Sequence, residues 1–345
     1  MEDVLGGYSD DSQFANFLGN WAVILNRRVD EVTAAFSQVH GLHGLILAGG
    51  LGRGQPWPLS DIDLIPIYDD DRLEAAAAEI ETLRVAFLER WVAEGWWSGL
   101  DIGRLRFTTS EVQHVLQAGS SAVNVLLADD RWYHSIDKAF GGHALMDAEG
   151  LASGLAAWFT AHRFTAEVVT YRLHREEREL RSAQGSFAQA VASGEMLTAT
   201  RSLRDAMKWL ITLYLERWGE RDNSQGRLGT RFVTAAQAHG AEALVDAVHA
   251  LSDRTEPQVW RRLEAAPRWV RERHDRSLRA RLHIGEPVTA LDDARDTLRV
   301  CSLYGLRREN VPPYPAWLAV MDMATARARV EDLERVILAT VQHQQ

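Results

Sequence analysis

Gly49-Gly50-Leu51-Gly52-Arg53-Gly54 leads through Pro56 and Pro58 into Ser60-Asp61-Ile62-Asp63-Leu64, and the fold is read outward from this stretch. Just before it, Leu45-Ile46-Leu47-Ala48 is a short apolar run ending in glycines, the pattern of a buried strand. Ile62 to Tyr68 reads as a second strand. Side chains alternate along a strand, so Asp61 and Asp63 share a face. Two carboxylates there repel each other and are costly to desolvate. A divalent cation relieves both problems, and magnesium favours carboxylate oxygens together with substrate phosphates. The glycines let backbone N–H groups come close to phosphate oxygens, with Gly49 and Gly50 at the approach and Gly50 at its most crowded point. Arg53 adds charge to a phosphate or holds the turn. Ser60 bonds a phosphate or caps the turn. No Lys-Ser or Lys-Thr closes the glycine run, so it is not a P-loop. Its glycine spacing also fails the dinucleotide fingerprint.

The surrounding chain fits a globular protein. It has 345 residues and a net charge of −10, which disfavours a surface built to coat nucleic acid or an anionic membrane. Cys301 is the single cysteine, so an internal disulfide or a cysteine zinc cluster is excluded, and a small core residue is expected there. Met1 to Asp11 lacks a basic start and an apolar core, and no apolar run is long enough to span a bilayer. These features predict a cytoplasmic protein.

Phe14, Leu18, Trp21, Leu25, Val29, Val32 and Phe36 recur at helical spacing after an Asp10-Asp11-Ser12 cap, predicting a helix that stops near His40-Gly41. A helix is expected from Arg72 to Glu94, a third strand from Leu100 to Phe107, and a helix capped at Thr109-Ser110-Glu111. From Leu151 onward the chain reads as helix after helix. Arg172 to Arg181 alternates in charge like a solvated face. Arg307 to Pro315 reads as a late loop, followed by a helix from Ala316 to Val341. The expected architecture is α+β: a helical segment at 1–40, a small α/β domain at 41–145 and a helical domain at 146–345, with the boundary at Gly141 to Gly150.

The run from Gly49 to Leu64 resembles the signature of the polymerase-β-type nucleotidyltransferases, and within them the branch of bacterial PII-protein uridylyltransferases. Gly49, Gly50, Gly52, Arg53, Gly54, Pro58, Ser60, Asp61, Asp63 and Leu64 match that branch's spacing. Gly99-Leu100-Asp101-Ile102-Gly103 resembles its segment for a third metal-site acid, with Asp101 where the family has glutamate. Ser202-Leu203-Arg204-Asp205 resembles its Gly-Leu-Arg-Asp element. Gln55 replaces a usual acid, and the glycine- and lysine-bearing run before Leu-Arg-Asp is missing. The family's hydrolase and sensor domains do not fit in this length. His274-Asp275 lacks an upstream histidine set and reads as a helix face.

The resemblance implies a polymerase-β-like α/β domain and transfer of a nucleoside monophosphate from a nucleoside triphosphate to a hydroxyl of a protein or small-molecule acceptor. It implies two Mg2+ ions, with Mn2+ as the alternative, held by Asp61 and Asp63, with Asp101 completing the acceptor-side ion. Arg204 and Lys208 lie one helical turn apart and either reach the nucleotide or form a surface pair. His40 and His43 read as structural histidines, Trp96-Trp97 as helix-end packing, and Trp57 as a lining of the cleft. The competing readings are an RNA-modifying nucleotidyltransferase toxin, disfavoured by the acidic balance, and a non-catalytic nucleotide-binding regulator, disfavoured by the intact Asp61/Asp63 pair.

Overall fold

The computed structural model of the chain describes residues 11–95, 99–221, 225–308 and 313–342. The chain packs as two units, Met1–Thr170 with Ala280–Glu286, and Tyr171–Arg279 with Pro287–Gln345. The first unit therefore takes in the N-terminal helix and runs past residue 145.

In the first unit, helix α1 (Asp11–Phe36) buries Phe14, Leu18, Leu25, Val29, Val32 and Phe36, the stripe set by their spacing. Strands β1 (Leu42–Ala48) and β2 (Ile62–Tyr68) pair antiparallel and are buried along nearly their whole length. A single helical turn, Gly49–Gly52, leaves β1. Helix α2 (Leu73–Ala93) then carries the chain over to β3 (Leu100–Asp101), which runs parallel to β2. Parallel neighbours need such a crossover. Trp91 on α2 is fully buried; burial of a side chain of this size stabilises by roughly 1.5–3 kcal/mol.

The third strand expected from Leu100 to Phe107 is interrupted. It forms β3 and β4 (Phe107–Thr108), both parallel to β2, with Gly103 at φ +104 between them. Thr108 caps helix α3 (Thr109–Ala118) through a reciprocal bond with Glu111. Helix α4 (Asp130–Lys138) leads into β5 (His143–Asp147), which pairs antiparallel with β1. The sheet order is β3-β2-β1-β5, with β4 also on β2. β5 occupies the stretch expected to be a domain boundary. Its side chains are only partly buried, so no apolar run announces an edge strand. Helix α5 (Leu151–His162) follows.

The helices that follow are α6 (Ala166–Ser193), α7 (Met196–Arg217), α8 (Leu228–Ala238), α9 (Glu242–Leu251), α10 (Glu256–Glu264), α11 (Arg268–His283), α12 (Ala290–Arg308) and α13 (Met323–Gln342). A 3-10 turn, Ala316–Leu318, precedes α13. The helical run expected from Leu151 onward breaks between His162 and Ala166. Its charged stretch is not a uniformly solvated face. Arg172 and Glu176 are fully buried, and Arg172 Nη2 meets Glu216 Oε1 of α7 at 2.9 Å. Arg221 bridges Glu176 and Glu216, so the charges balance inside the helix packing. The expected late loop begins inside α12, and residues 309–312 lie outside the described residues. Cys301 is a core residue, and burial pushes its thiol up to about 11. No helix among the described residues is long and apolar enough to cross a membrane.

Candidate active site

Sheet register brings two carboxylates together. Asp63 stands opposite Ala48 of β1 on one side and opposite Asp101 of β3 on the other. Gly49, directly after Ala48, has φ +61, and a Cβ there would lie 1.8 Å from Asp63 Oδ2. Only glycine leaves room for that carboxylate. Gly52 is also enclosed, since its Cβ would meet the Leu47 carbonyl at 2.4 Å. At Gly50 the protein itself leaves more room. The atom nearest a Cβ there would be 3.4 Å away, an ordinary contact, because β1 turns sharply one residue earlier.

The third member of the site is Lys138, which the sequence reading missed. Asp129 caps α4 by accepting the Arg131 N–H at 2.7 Å. The helix is anchored by Trp132, whose ring packs against Phe107 at 4.3 Å and Phe159 at 5.8 Å. Asp137 adds a buried ion pair with Arg163 at 3.1 Å. These contacts fix the end of the helix, where Lys138 is the last residue. Its Nζ lies 2.8 Å from Asp63 Oδ1 and also bonds Asp101. Burial alone would lower the lysine's pKa, but Asp63 and Asp101 hold it above its ordinary value. Burial pushes the Asp63 carboxyl up, and the Lys138 charge opposes that. No spacing in the sequence connects a lysine at 138 to an aspartate at 63.

Asp61 lies just before β2 and is exposed. Its Oδ1 accepts the Gly99 N–H at 3.0 Å, and a Cβ on Gly99 would sit 2.3 Å from that oxygen. Asp63 and Asp101 therefore converge on one cation while Asp61 is turned to the backbone of the neighbouring segment. Among the described residues, no three His, Cys, Asp or Glu side chains are gathered as a metal site. The donor chemistry nevertheless fits a divalent ion: two carboxylates already share a cation, and Asp61 stands two residues along the same chain.

Ser60 is a turn cap. Its hydroxyl accepts the Trp57 N–H at 2.9 Å, and its own N–H donates to the Trp57 carbonyl at 2.9 Å. Trp57 itself packs on the core of the first unit. Arg53 follows the glycine turn and lies close enough to Asp63 to favour its charged form. Arg204 and Lys208 belong to the second unit. Arg204 is buried and donates to the Leu318 and Ala319 carbonyls, so it is not half of a surface pair. Lys208 Nζ lies over the Trp209 ring at 4.4 Å. His43 faces Asp69 at 3.2 Å, and His274 faces Asp293 at 2.9 Å. Trp96-Trp97 lies outside the described residues.

No protein-family model matches the chain, and no solved structure does. Two curated proteins are similar to part of it. The bifunctional uridylyltransferase/uridylyl-removing enzyme of Nitrosospira multiformis is 40% identical over 86 residues, 24% of this chain and 9% of that protein. The enzyme of the same name from Thiobacillus denitrificans is 28% identical over 96 residues, 28% of this chain and 10% of that protein. The chain thus matches at most about a tenth of the length of these relatives. Within that span it is related to the uridylyltransferase/uridylyl-removing enzymes.

Proposed function

We propose that the protein is a metal-dependent nucleotidyltransferase that moves a nucleoside monophosphate from a nucleoside triphosphate to a hydroxyl of a protein or small-molecule acceptor, releasing pyrophosphate. The observation that carries this reading is the convergence of Asp63 and Asp101 on one cation, beside a turn where Gly49 alone leaves room for Asp63. The partial kinship with uridylyltransferases points the same way and makes UTP the first donor to test, with ATP second. The antiparallel β1–β2 pair with a helical crossover to β3 is compatible with a polymerase-β-like domain.

Asp63, Asp101 and Asp61 would hold Mg2+ or Mn2+, a pair of ions by the resemblance. Divalent ions at such a site polarise the phosphoryl group and make the acceptor hydroxyl a better nucleophile. The glycine turn offers its opening N–H groups to phosphate oxygens, and Arg53 adds positive charge beside it. Asp101, half exposed, would take the acceptor's proton. Lys138 balances the carboxylates and holds them in register.

The test is incubation of the protein with each labelled nucleoside triphosphate, Mg2+ and cell extract. Label transferred to protein or to a small molecule, and lost in Asp63→Asn, supports the reading. Label on RNA would move the assignment to an RNA-modifying enzyme. No transfer from any of the triphosphates would overturn it.

A further inference from the structure

The second unit buries a group of arginines among its helices. Arg204, Arg254, Arg262 and Arg299 keep only 8%, 5%, 5% and 6% of their surface exposed. Two of them converge on one stretch of backbone. Arg204 Nη2 donates to the Leu318 and Ala319 carbonyls. Arg262 Nε donates to the Trp317 carbonyl at 3.0 Å, and its Nη1 to the Asp253 carbonyl at 3.2 Å. These bonds use only part of each guanidinium. Arg204 Nη1 and Arg262 Nη2 are buried without a hydrogen-bond partner among the described residues. A buried donor left bare is costly, and arginine does not escape by losing its proton.

The nearby acids are already engaged. Asp253 takes two bonds from Arg329, at 2.6 and 3.1 Å. Asp296 accepts the Gly229 N–H at 2.8 Å and the Thr230 hydroxyl at 2.7 Å. Burial first, then the charges of Arg299 and Arg262, press Arg254 down to about 9. Burial, then Arg262, depresses Arg204 as well. A second feature marks the same place. Among the described residues, the non-glycine residues with left-handed backbone are Asp253 (φ 55) and Ala319 (φ 47). The Asp253 carbonyl is bound by Arg262 and the Ala319 carbonyl by Arg204. Strain of this kind persists where a site holds it in place. Capping of the Trp317–Ala319 carbonyls explains some of the guanidinium N–H groups. It does not explain the two bare ones.

We propose that Arg204 and Arg262 form a binding site for a phosphate-class oxyanion. A tetrahedral oxyanion supplies acceptor oxygens for the two bare donors, and guanidinium forks match its geometry. The anion is free phosphate or the phosphate tail of a nucleotide. The site stands independently of the role of Asp63.

The test uses the full chain, with inorganic phosphate titrated against chloride at matched ionic strength. Expected are saturable binding heat in calorimetry and a rise of several degrees in Tm. Arg262→Met should weaken phosphate binding at least tenfold, while Asp63→Asn should bind it like the wild type. If Arg262→Met does not fold, Arg262→Lys keeps the charge but loses the fork, and should bind at least fivefold more weakly. UTP without divalent ion, added in competition, separates the sources: displacement of phosphate identifies a nucleotide tail, and its failure identifies a free anion. Absence of saturable phosphate binding, or wild-type affinity in the arginine variant that folds, overturns the proposal.

Discussion

Lys138 Nζ lies 2.8 Å from Asp63 Oδ1 and bonds Asp101 on the adjacent strand, so one ammonium bridges two carboxylates that face each other in register. Removing it leaves those charges unbalanced. Lys138→Met should destabilise the divalent-free protein by about 1–3 kcal/mol, less than for a fully buried pair because Asp101 is half exposed. Mg2+ or Mn2+ should then raise the melting temperature of the variant more than that of the wild type. An equal rise in both would show that the ammonium and the metal do not share a site.

Gly49 and Gly50 should behave oppositely although they are neighbours. At Gly49 a methyl group collides with Asp63 Oδ2, and the backbone is left-handed. Gly49→Ala should cost on the order of 1–3 kcal/mol and remove transfer activity. At Gly50 there is ordinary space. Gly50→Ala should change stability by no more than about 1 kcal/mol. Urea unfolding of both variants checks this, and equal losses would contradict the geometry at Asp63.

Elements with strong periodicity were legible in the sequence, whereas Asp61, just before β2, bonds the Gly99 backbone and does not join Asp63 at Lys138. The helix stripe from Phe14 to Phe36 and the strand Ile62–Tyr68 repeat the spacing seen in the sequence. β5 was not legible, because an edge strand with half-exposed side chains has no apolar signature. Lys138 was invisible because tertiary packing of α4, through Trp132 and Asp137, brings it to Asp63. The burial of Arg172 and Glu176 was hidden for a related reason: alternating charges look alike whether their partners are water or another helix.

The aspartates should separate by role. Asp63→Asn should abolish transfer, since the carboxylate that meets the shared cation is lost. Asp61→Asn should keep the fold within about 1 kcal/mol, because an amide oxygen still accepts the Gly99 N–H. Its activity then reports on metal binding alone. Activity within tenfold of wild type in either variant would remove that residue from the site.

The buried network of the second unit gives a test of packing that is separate from activity. Glu216 accepts both Arg172 Nε at 3.0 Å and Arg221 Nη1 at 3.1 Å. Glu216→Ala leaves Arg172 buried without that carboxylate and should cost about 3–5 kcal/mol. A loss below about 1 kcal/mol in urea unfolding would show that the network is not closed.

His249 should set an acid limit on stability. It is buried, and burial first, then Arg295 and Arg254, lower its pKa to about 3, with Asp292 opposing. The unfolded chain takes up this proton near the ordinary histidine value, roughly pH 6.5. Between that pH and about 3 the unfolded state binds a proton that the folded state refuses, so stability falls as pH falls. Each pH unit in this window is worth about 1.4 kcal/mol, giving a loss of roughly 2 kcal/mol from pH 6.5 to pH 5. Most carboxylates remain ionised at pH 5, so the histidine dominates the slope there. His249→Leu removes the titrating group and should flatten the curve, even if the variant is less stable at pH 7. Urea unfolding of both proteins at pH 7, 6 and 5 decides it. Parallel curves would mean that His249 takes up its proton in the folded state as readily as in the unfolded one.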